Sequence, residues 1–404
     1  MTAAGWRRLE AHLADFIWQH PDWPRFRWSA DRLLPAVADA RFLHGRLIGT
    51  MAAAGLATRQ QAELTAATDD AVATSAIEGE ALPPASVRSS IARRLGLPDD
   101  GLTPRDSRVE GVAGMVLDAT RNCRQPLTVE RLFSWHRALF AVMRPSLEAP
   151  IDVGRWRTDA RGRMQVVSAT YRGGKTPRVH FEAPPADRVA AGMKRFIAWF
   201  NGDAEDLDAL LRAAIAHLWF VTIHPFDDGN GRIGRAIMDM AIARAEPPGG
   251  QRFYSLSSAI LRQRRGYYAA LEQAQRGDLD ITPWLLWFLQ CHQTAVRDAE
   301  RTARRVIEVA RFWPSVEPVN ARQRKALAKL LDEWEGLMTT RKWAAINAVS
   351  ADTAQRDIAD LVSRGVLVPN RKGGRSTGYV LAGPLGPASP VSQEASPSEA
   401  KRGG

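Results

Sequence analysis

A short polar loop strung between two strongly apolar helical runs constrains this chain more than any other feature. Helical patterning places one helix over about Leu207–Ile223 and the next over about Arg232–Ala245. Between them stand His224-Pro225-Phe226-Asp227-Asp228-Gly229-Asn230-Gly231. A loop opening into a helix N-terminus offers unpaired backbone N–H groups and the positive end of the dipole, a ready anion site. Gly229 and Gly231 permit close ligand approach that a side chain would block, and Asn230 adds a neutral donor. Arg232 and Arg235 are three residues apart, so on a helix they project from one face. Two guanidinium groups matched to phosphate oxygens point to a di- or triphosphate.

Asp228 supplies a hard oxygen ligand in the same loop, the usual way Mg²⁺ is held beside phosphates. His224 is the only imidazole there, and its ordinary pKa of ~6.5 suits removal of a proton from an attacking hydroxyl. Alone, the histidine reads as a helix cap and the Gly-Asn-Gly as a turn. Together the base, metal carboxylate, anion nest and paired arginines are equipment for attack on a phosphate ester. Gly173-Gly174-Lys175-Thr176 ends like a Walker A loop, but Ala169 stands where that motif requires glycine.

At these residues the sequence resembles the Fic family, whose signature His-x-Phe-x-(Asp/Glu)-Gly-Asn-Gly-Arg-x-x-Arg is matched in full. The resemblance covers roughly Leu127–Leu289, including Gly266-Tyr267-Tyr268 and Gly277-Asp278. It implies a mainly α protein: an all-helical Fic core with a small β-hairpin flap, which transfers AMP from ATP onto a protein hydroxyl. By that resemblance His224 is the base acting on a target Tyr, Thr or Ser, Phe226 anchors the loop, and Asp228 binds Mg²⁺. Gly229, Asn230 and Gly231 form the anion hole, and Arg232 and Arg235 hold the β- and γ-phosphates. Tyr267 and Tyr268 border the adenine, although either also reads as core. A relative of similar fold that acts as a kinase carries lysine at the second loop glycine; Gly231 here argues for nucleotidyl transfer. The Gln165–Phe181 run, extended on both sides of Gly173-Gly174, matches the family's flap, which pairs with a target segment by β-augmentation. A passive hairpin fits the same residues.

Thr74-Ser75-Ala76-Ile77-Glu78-Gly79 closes an N-terminal helix running from about Gln60 to Ile77, with Gly79 where a C-cap glycine belongs. A carboxylate at a helix C-terminus is mildly unfavourable, which hints at a cationic partner elsewhere. The segment is similar to the (Ser/Thr)-x-x-x-Glu-(Gly/Asn) inhibitory motif that accompanies Fic domains. That likeness implies that Glu78 pairs with Arg235 and denies it to the γ-phosphate, while Thr74 braces the helix. The same geometry lets Glu78 position a water for removal of AMP from a modified target.

The remaining organisation is largely helical. Trp6, Trp18, Trp23 and Trp28 crowd the first ~30 residues, either an aromatic clasp on the helical body or a partner-binding patch. Helices follow through Val37–Ile48 and Pro84–Leu95, the latter stopped by Gly96, and again from about Leu127, over Ala186–Phe200, Ser258–Gln275 and Thr282–Val296. These features divide the chain into an N-terminal helical region (1–100), a catalytic domain (125–290), a linker helix (291–319), a C-terminal module (320–383) and a disordered tail (384–404). The module carries a net charge of +5 over Ala321–Leu381 and resembles a winged helix-turn-helix. As a DNA reader it would present Thr353, Gln355 and Arg356 to the major groove and Arg371, Lys372 and Arg375 to phosphates. As a protein-docking or dimerisation wing it fits equally. A second function class is therefore a DNA-binding regulator whose core senses nucleotide or modifies itself.

Composition bounds these readings. The 404 residues are 45% hydrophobic and 25% charged, which excludes bulk disorder and collagen-like architecture. Two cysteines, Cys123 and Cys291, rule out a disulfide framework and suit a reducing cytoplasm. No apolar run approaches the ~18–20 residues of a membrane span, and acidic residues interrupt the first sixteen positions where a signal peptide would be apolar. A formal charge of +11 is compatible with polyanionic partners without identifying one. The expected partners are ATP, a target protein, DNA through the module if it reads DNA, and a second copy of the chain, since the family resemblance admits a dimer.

Overall fold

The computed structural model describes residues 15–99, 105–141, 151–160, 162–167, 178–202, 207–247, 250–331, 337–370 and 377–385. The chain divides into two compact units, Met1–Arg301 and Thr302–Gly404. Helices dominate both, and the described strands form two small antiparallel sheets, the mainly α architecture expected from the sequence. Among the described residues no helix is long and apolar enough to cross a membrane.

The first unit begins with α1 (Ala30–Ala52), α2 (Leu56–Ile77), α3 (Pro84–Leu95), α4 (Ser107–Arg121) and α5 (Val129–Leu139). After the hairpin β1 (Gln165–Val167) and β2 (Val179–Glu182) come α6 (Val189–Asn201), α7 (Ala209–Ile223), α8 (Asn230–Arg244), α9 (Leu256–Arg262), α10 (Arg264–Arg276) and α11 (Thr282–Val316). Helix α7 is apolar on every face, so it has no side to give to water and becomes the centre of the core. Thirteen of its residues are buried, and Asp208 caps its start by accepting from the Leu210 N–H at 2.8 Å. Helix α8 packs along it with twelve buried residues, polar Asn230, Arg232, Arg235 and Asp239 among them.

Helix α4 falls in a stretch that sequence patterning leaves unassigned. Gly111 and Gly114 lower its helix propensity, yet a Cβ at Gly111 would overlap the Ala138 carbonyl of α5, so the glycine is what lets these two helices touch. The expected Ser258–Gln275 helix is two helices, broken at Gln263, whose backbone (φ −112, ψ 28) leaves the helical region. Helix α11 spans Thr282–Val316, past the expected Thr282–Val296 run.

In the hairpin, Gln165 pairs with Glu182 and Val166 with Phe181. The turn at Gly173-Gly174 and the Walker-like residues that follow lie outside the described residues. The N-terminal aromatics clasp this hairpin and the core. Phe16 meets Phe181 edge-on at 5.3 Å, the Trp18 indole donates to the Glu182 carbonyl at 2.7 Å, and Trp23 packs edge-on to Trp219 at 6.3 Å. Trp6 lies outside the described residues.

The second unit contains α12 (Ala321–Leu331), α13 (Thr340–Asn347) and α14 (Ala351–Ser363) against a three-stranded sheet of order β3-β5-β4. Strands β4 (Leu367–Pro369) and β5 (Gly378–Leu381) are the expected extended pair, while β3 (Met338–Thr339) is an addition of two residues. Leu327, Trp343, Ile358, Leu361, Leu367 and Leu381 make its core. Arg371, Lys372 and Arg375, and the tail from residue 386 onward, lie outside the described residues.

Candidate active site

The loop starts from an enforced turn. His224 ends α7 in the left-handed region (φ 51, ψ 60), and its N–H still reaches the Phe220 carbonyl at 3.0 Å. Its Nδ1 lies 3.2 Å from the Val221 carbonyl. A carbonyl can only accept, so Nδ1 carries the proton and Nε2 keeps the lone pair. Burial pushes the imidazole down to about 4, which leaves it neutral at physiological pH.

The loop's middle is anchored by aromatic packing. Phe226 is fully buried, stacked on His136 at 4.2 Å and close to Trp156 at 5.1 Å. Asn230 bridges the backbone of Phe226, its amide oxygen accepting from the N–H at 2.9 Å and its amide nitrogen donating to the carbonyl at 2.7 Å. The Asn230 side chain thus helps hold the loop, one of its two amide N–H donors being spent on the Phe226 carbonyl. The backbone N–H of Asn230 stands at the start of α8. Gly229, at φ 80, turns the chain into that helix.

Two acids from one neighbouring turn face the first turn of α8. Arg235, 1% exposed, donates Nη2 to the Glu78 carboxylate and to the Thr74 carbonyl and Nε to the Thr74 hydroxyl, each at 2.8 Å. Burial opposes ionisation of Glu78, but the charge and hydrogen bond of Arg235, with Arg232 and Arg264 nearby, hold its carboxyl below the usual range. A Cβ at Gly231 would overlap the Glu78 carboxylate, so glycine is required for this contact. The turn itself is made by Gly79 (φ 89), with the Glu80 N–H closing on the Ser75 carbonyl at 3.0 Å. Glu80 then takes Arg232 Nη1 at 2.9 Å.

Beside these groups opens a cleft of about 680 Å³, within the range of small-molecule sites. His224, Asp228, Gly229, Asn230, Gly231, Glu78, Tyr267 and Tyr268 all line it, with Val166 and Val167 of the hairpin opposite. The tyrosines differ: Tyr267 is 2% exposed with its hydroxyl 2.8 Å from His217 Nε2, whereas Tyr268 is 39% exposed and donates to the Ile77 carbonyl at 3.2 Å. Tyr267 is thus a core residue that reaches the cleft, and Tyr268 is the more accessible wall.

Comparison with known proteins agrees with this geometry. Residues 126–242 match the model of the Fic/DOC family. Residues 16–97 match a second model, described as a domain of unknown function (DUF4172). A protein adenylyltransferase Fic of Drosophila ananassae is 29% identical over 220 residues, 53% of this chain, and that of Drosophila sechellia is 30% identical over the same length. The chain spans 38% of the length of each of these relatives. A crystal structure of a Fic family protein from Desulfovibrio desulfuricans G20 shares the fold with a TM-score of 0.50 at 19% identity, covering 89% of this chain and 98% of that one.

Two features of the site fit a polyphosphate. Arg235 Nη1 and Arg232 Nε are buried donors with no hydrogen-bond partner in the structure, both in the first turns of α8 beside free backbone N–H groups. Asp228 is 54% exposed at the cleft, with Arg232 at 3.7 Å and the Gly229 N–H against it. Among the described residues no cluster of three His, Cys, Asp or Glu side chains can hold a metal ion. A divalent cation here fits only the mode in which Asp228 gives one oxygen and phosphates and water give the rest.

Several groups that hold the loop come from outside it and carry no sequence pattern that would have flagged them. Arg157, 2% exposed, donates Nε to the His224 carbonyl at 2.7 Å, Nη2 to the Pro184 carbonyl and Nη1 to Asp159 at 3.0 Å. His136 accepts from the Gly154 N–H at 2.9 Å and faces the Asp228 carbonyl at 3.2 Å, which fixes its tautomer. Farther along the same two helices, Asp70 of α2 faces Asp239 of α8. Arg252 lies 2.6 Å from Asp239, and the Ser255 hydroxyl donates to Asp70 at 2.8 Å. Burial, with Asp70 adjacent, pushes the Asp239 carboxyl well up, while the Arg252 charge beside it pulls the other way.

Proposed function

We propose that this chain is an autoinhibited protein adenylyltransferase that moves AMP from ATP to a Tyr, Thr or Ser hydroxyl. The observation that carries the reading is Arg235: an almost fully buried guanidinium in an anion site, held by Glu78 and still retaining an unpaired donor.

In the reaction, Arg235, Arg232 and the N–H groups at the start of α8 orient the triphosphate. His224 Nε2 takes the proton of the acceptor hydroxyl as its oxygen attacks the α-phosphorus. The bond from that phosphorus to the bridging oxygen breaks, and pyrophosphate leaves. A Mg²⁺ held by Asp228 would neutralise phosphate charge. Val166 and Val167, 37% and 48% exposed on β1, leave an edge on which an extended target segment can add as a strand. With Glu78 on Arg235, the γ-phosphate lacks its partner and ATP sits unproductively. A cytoplasmic setting suits the two free, buried cysteines.

The test uses ATP labelled at the α-phosphate. Glu78→Gly raises self- or target-labelling by about 10- to 100-fold, corresponding to ~1.4–2.7 kcal/mol of restored phosphate contact. Equal labelling by the parent and Glu78→Gly chains removes autoinhibition from the proposal, and label retained by His224→Ala removes the base. For the second unit, three helices on a three-stranded sheet with Gln355 and Arg356 exposed on α14 support a winged-helix DNA reader. Duplex DNA affinity falling steeply with salt supports it; affinity indifferent to salt points to protein docking.

A further inference from the structure

Glu78 is not the only acid on the phosphate-binding arginines. Glu80 leaves the same turn two residues later, outside the inhibitory motif, and accepts from Arg232 at 2.9 Å. Arg232 is 6% exposed, lies over the Phe140 ring at 5.1 Å, and has Asp228 at 3.7 Å and the Glu78 carboxylate nearby. Its Nε has no partner. One turn, set by Gly79, therefore delivers a carboxylate to each of the two arginines.

We propose that Glu80 is a specificity-determining residue that sets the affinity of the site for the polyphosphate end of the nucleotide by holding Arg232. This deepens the adenylyltransferase reading and rests on it for the identity of the ligand. The physical argument is competition for one guanidinium. Glu78 and Glu80 must each exchange a charge-assisted hydrogen bond before both arginines face phosphate, so removing Glu78 alone leaves Arg232 engaged. AMP, which lacks the phosphates these arginines would bind, need not displace either acid. Glu80 therefore separates ATP from AMP, whereas a merely structural residue would change both alike.

The experiment measures binding of ATP and AMP by calorimetry, with Mg²⁺ present, to the full chain and to Glu80→Gln, Glu80→Ala, Glu78→Gly and the Glu78→Gly/Glu80→Gln double variant. Glu80→Gln and Glu80→Ala are expected to tighten ATP about five- to tenfold and leave AMP within about twofold. The double variant is expected to bind ATP about five- to tenfold more tightly than Glu78→Gly. Unchanged ATP affinity in both Glu80 variants, or equal tightening of ATP and AMP, overturns the proposal. Labelling by the same proteins separates this outcome from failure of the parent reading. If Glu80 variants tighten ATP selectively while no variant transfers AMP, Glu80's role stands and the transferase reading falls. If Glu78→Gly transfers AMP and Glu80 substitution leaves ATP affinity unchanged, the reverse holds.

Discussion

The turn-and-loop region around Arg235 and the recognition-like helix α14 both carry candidate ligand contacts, yet they are built in opposite ways. Around Arg235 the polar groups are held by one another, with two arginine donors left over: Arg157, Asn230 and His136 fix the loop backbone, and Thr74, Glu78 and Glu80 hold the arginines. On α14, Gln355 and Arg356 are exposed, and the Thr353 hydroxyl is taken up by its own N-cap partner Ser350 at 3.0 Å. The contrast separates a buried site whose groups are organised in advance from an exposed face held by fewer bonds, such as that from the Thr340 hydroxyl to Gln355 at 2.9 Å. Preorganisation concentrates effect in single residues, whereas an exposed face spreads it.

Four measurements press on that contrast. The largest effect belongs to His224→Ala in the Glu78→Gly background, where labelling falls about 10²- to 10⁴-fold, as for loss of a general base. Arg157→Met follows: its side chain is fully buried and ties the His224 carbonyl to the Pro184 carbonyl and Asp159, so thermal unfolding should show a loss of about 2–4 kcal/mol. Retention of full stability would mean that the loop is not held from outside.

The third measurement is a pH profile. His224 must be neutral to act, and burial puts its proton affinity at about 4, so kcat/KM should stay level from pH 8 down past 6 and fall only as pH approaches that value. Glu78 contributes in the raising direction, so Glu78→Gly moves the acid limb to lower pH. A limb near 6.5 would place the imidazole in water. The smallest effect is expected on α14, where Gln355→Ala and Arg356→Ala each weaken duplex DNA by about two- to fivefold without shifting the melting temperature. A tenfold loss at one position would show that this face, too, is concentrated.

The same division governs how much the sequence disclosed. His224, Asp228, Gly231, Arg232 and Arg235 were legible because a helix N-terminus gathers neighbouring residues around one anion, so chemistry and spacing coincide. The poor fit of Glu78 at a helix C-terminus hints only at some cation, and its pairing with Arg235 comes from the likeness to the inhibitory motif. Glu80, Arg157 and His136 were not, since each reaches the loop from another element and nothing in its own surroundings is unusual. For Asn230 the sequence shows an amide donor but not that its oxygen and one N–H brace the backbone of Phe226. In the fold, the glycines that bring α4 against α5 also disguise α4 as a poor helix former. The break at Gln263 leaves the apolar period on both sides intact, so α9 and α10 read as one, and β3 is too short to register as a strand.

Gly231 leads to one last consequence. With hydrogen where other residues carry carbon, it leaves room at the start of α8 for an oxygen atom, and Glu78 has already put one there. Two negatively charged oxygens cannot share that volume. Any anion that is to lie against this part of the helix must first evict the carboxylate, so occupancy by one tenant excludes the other outright.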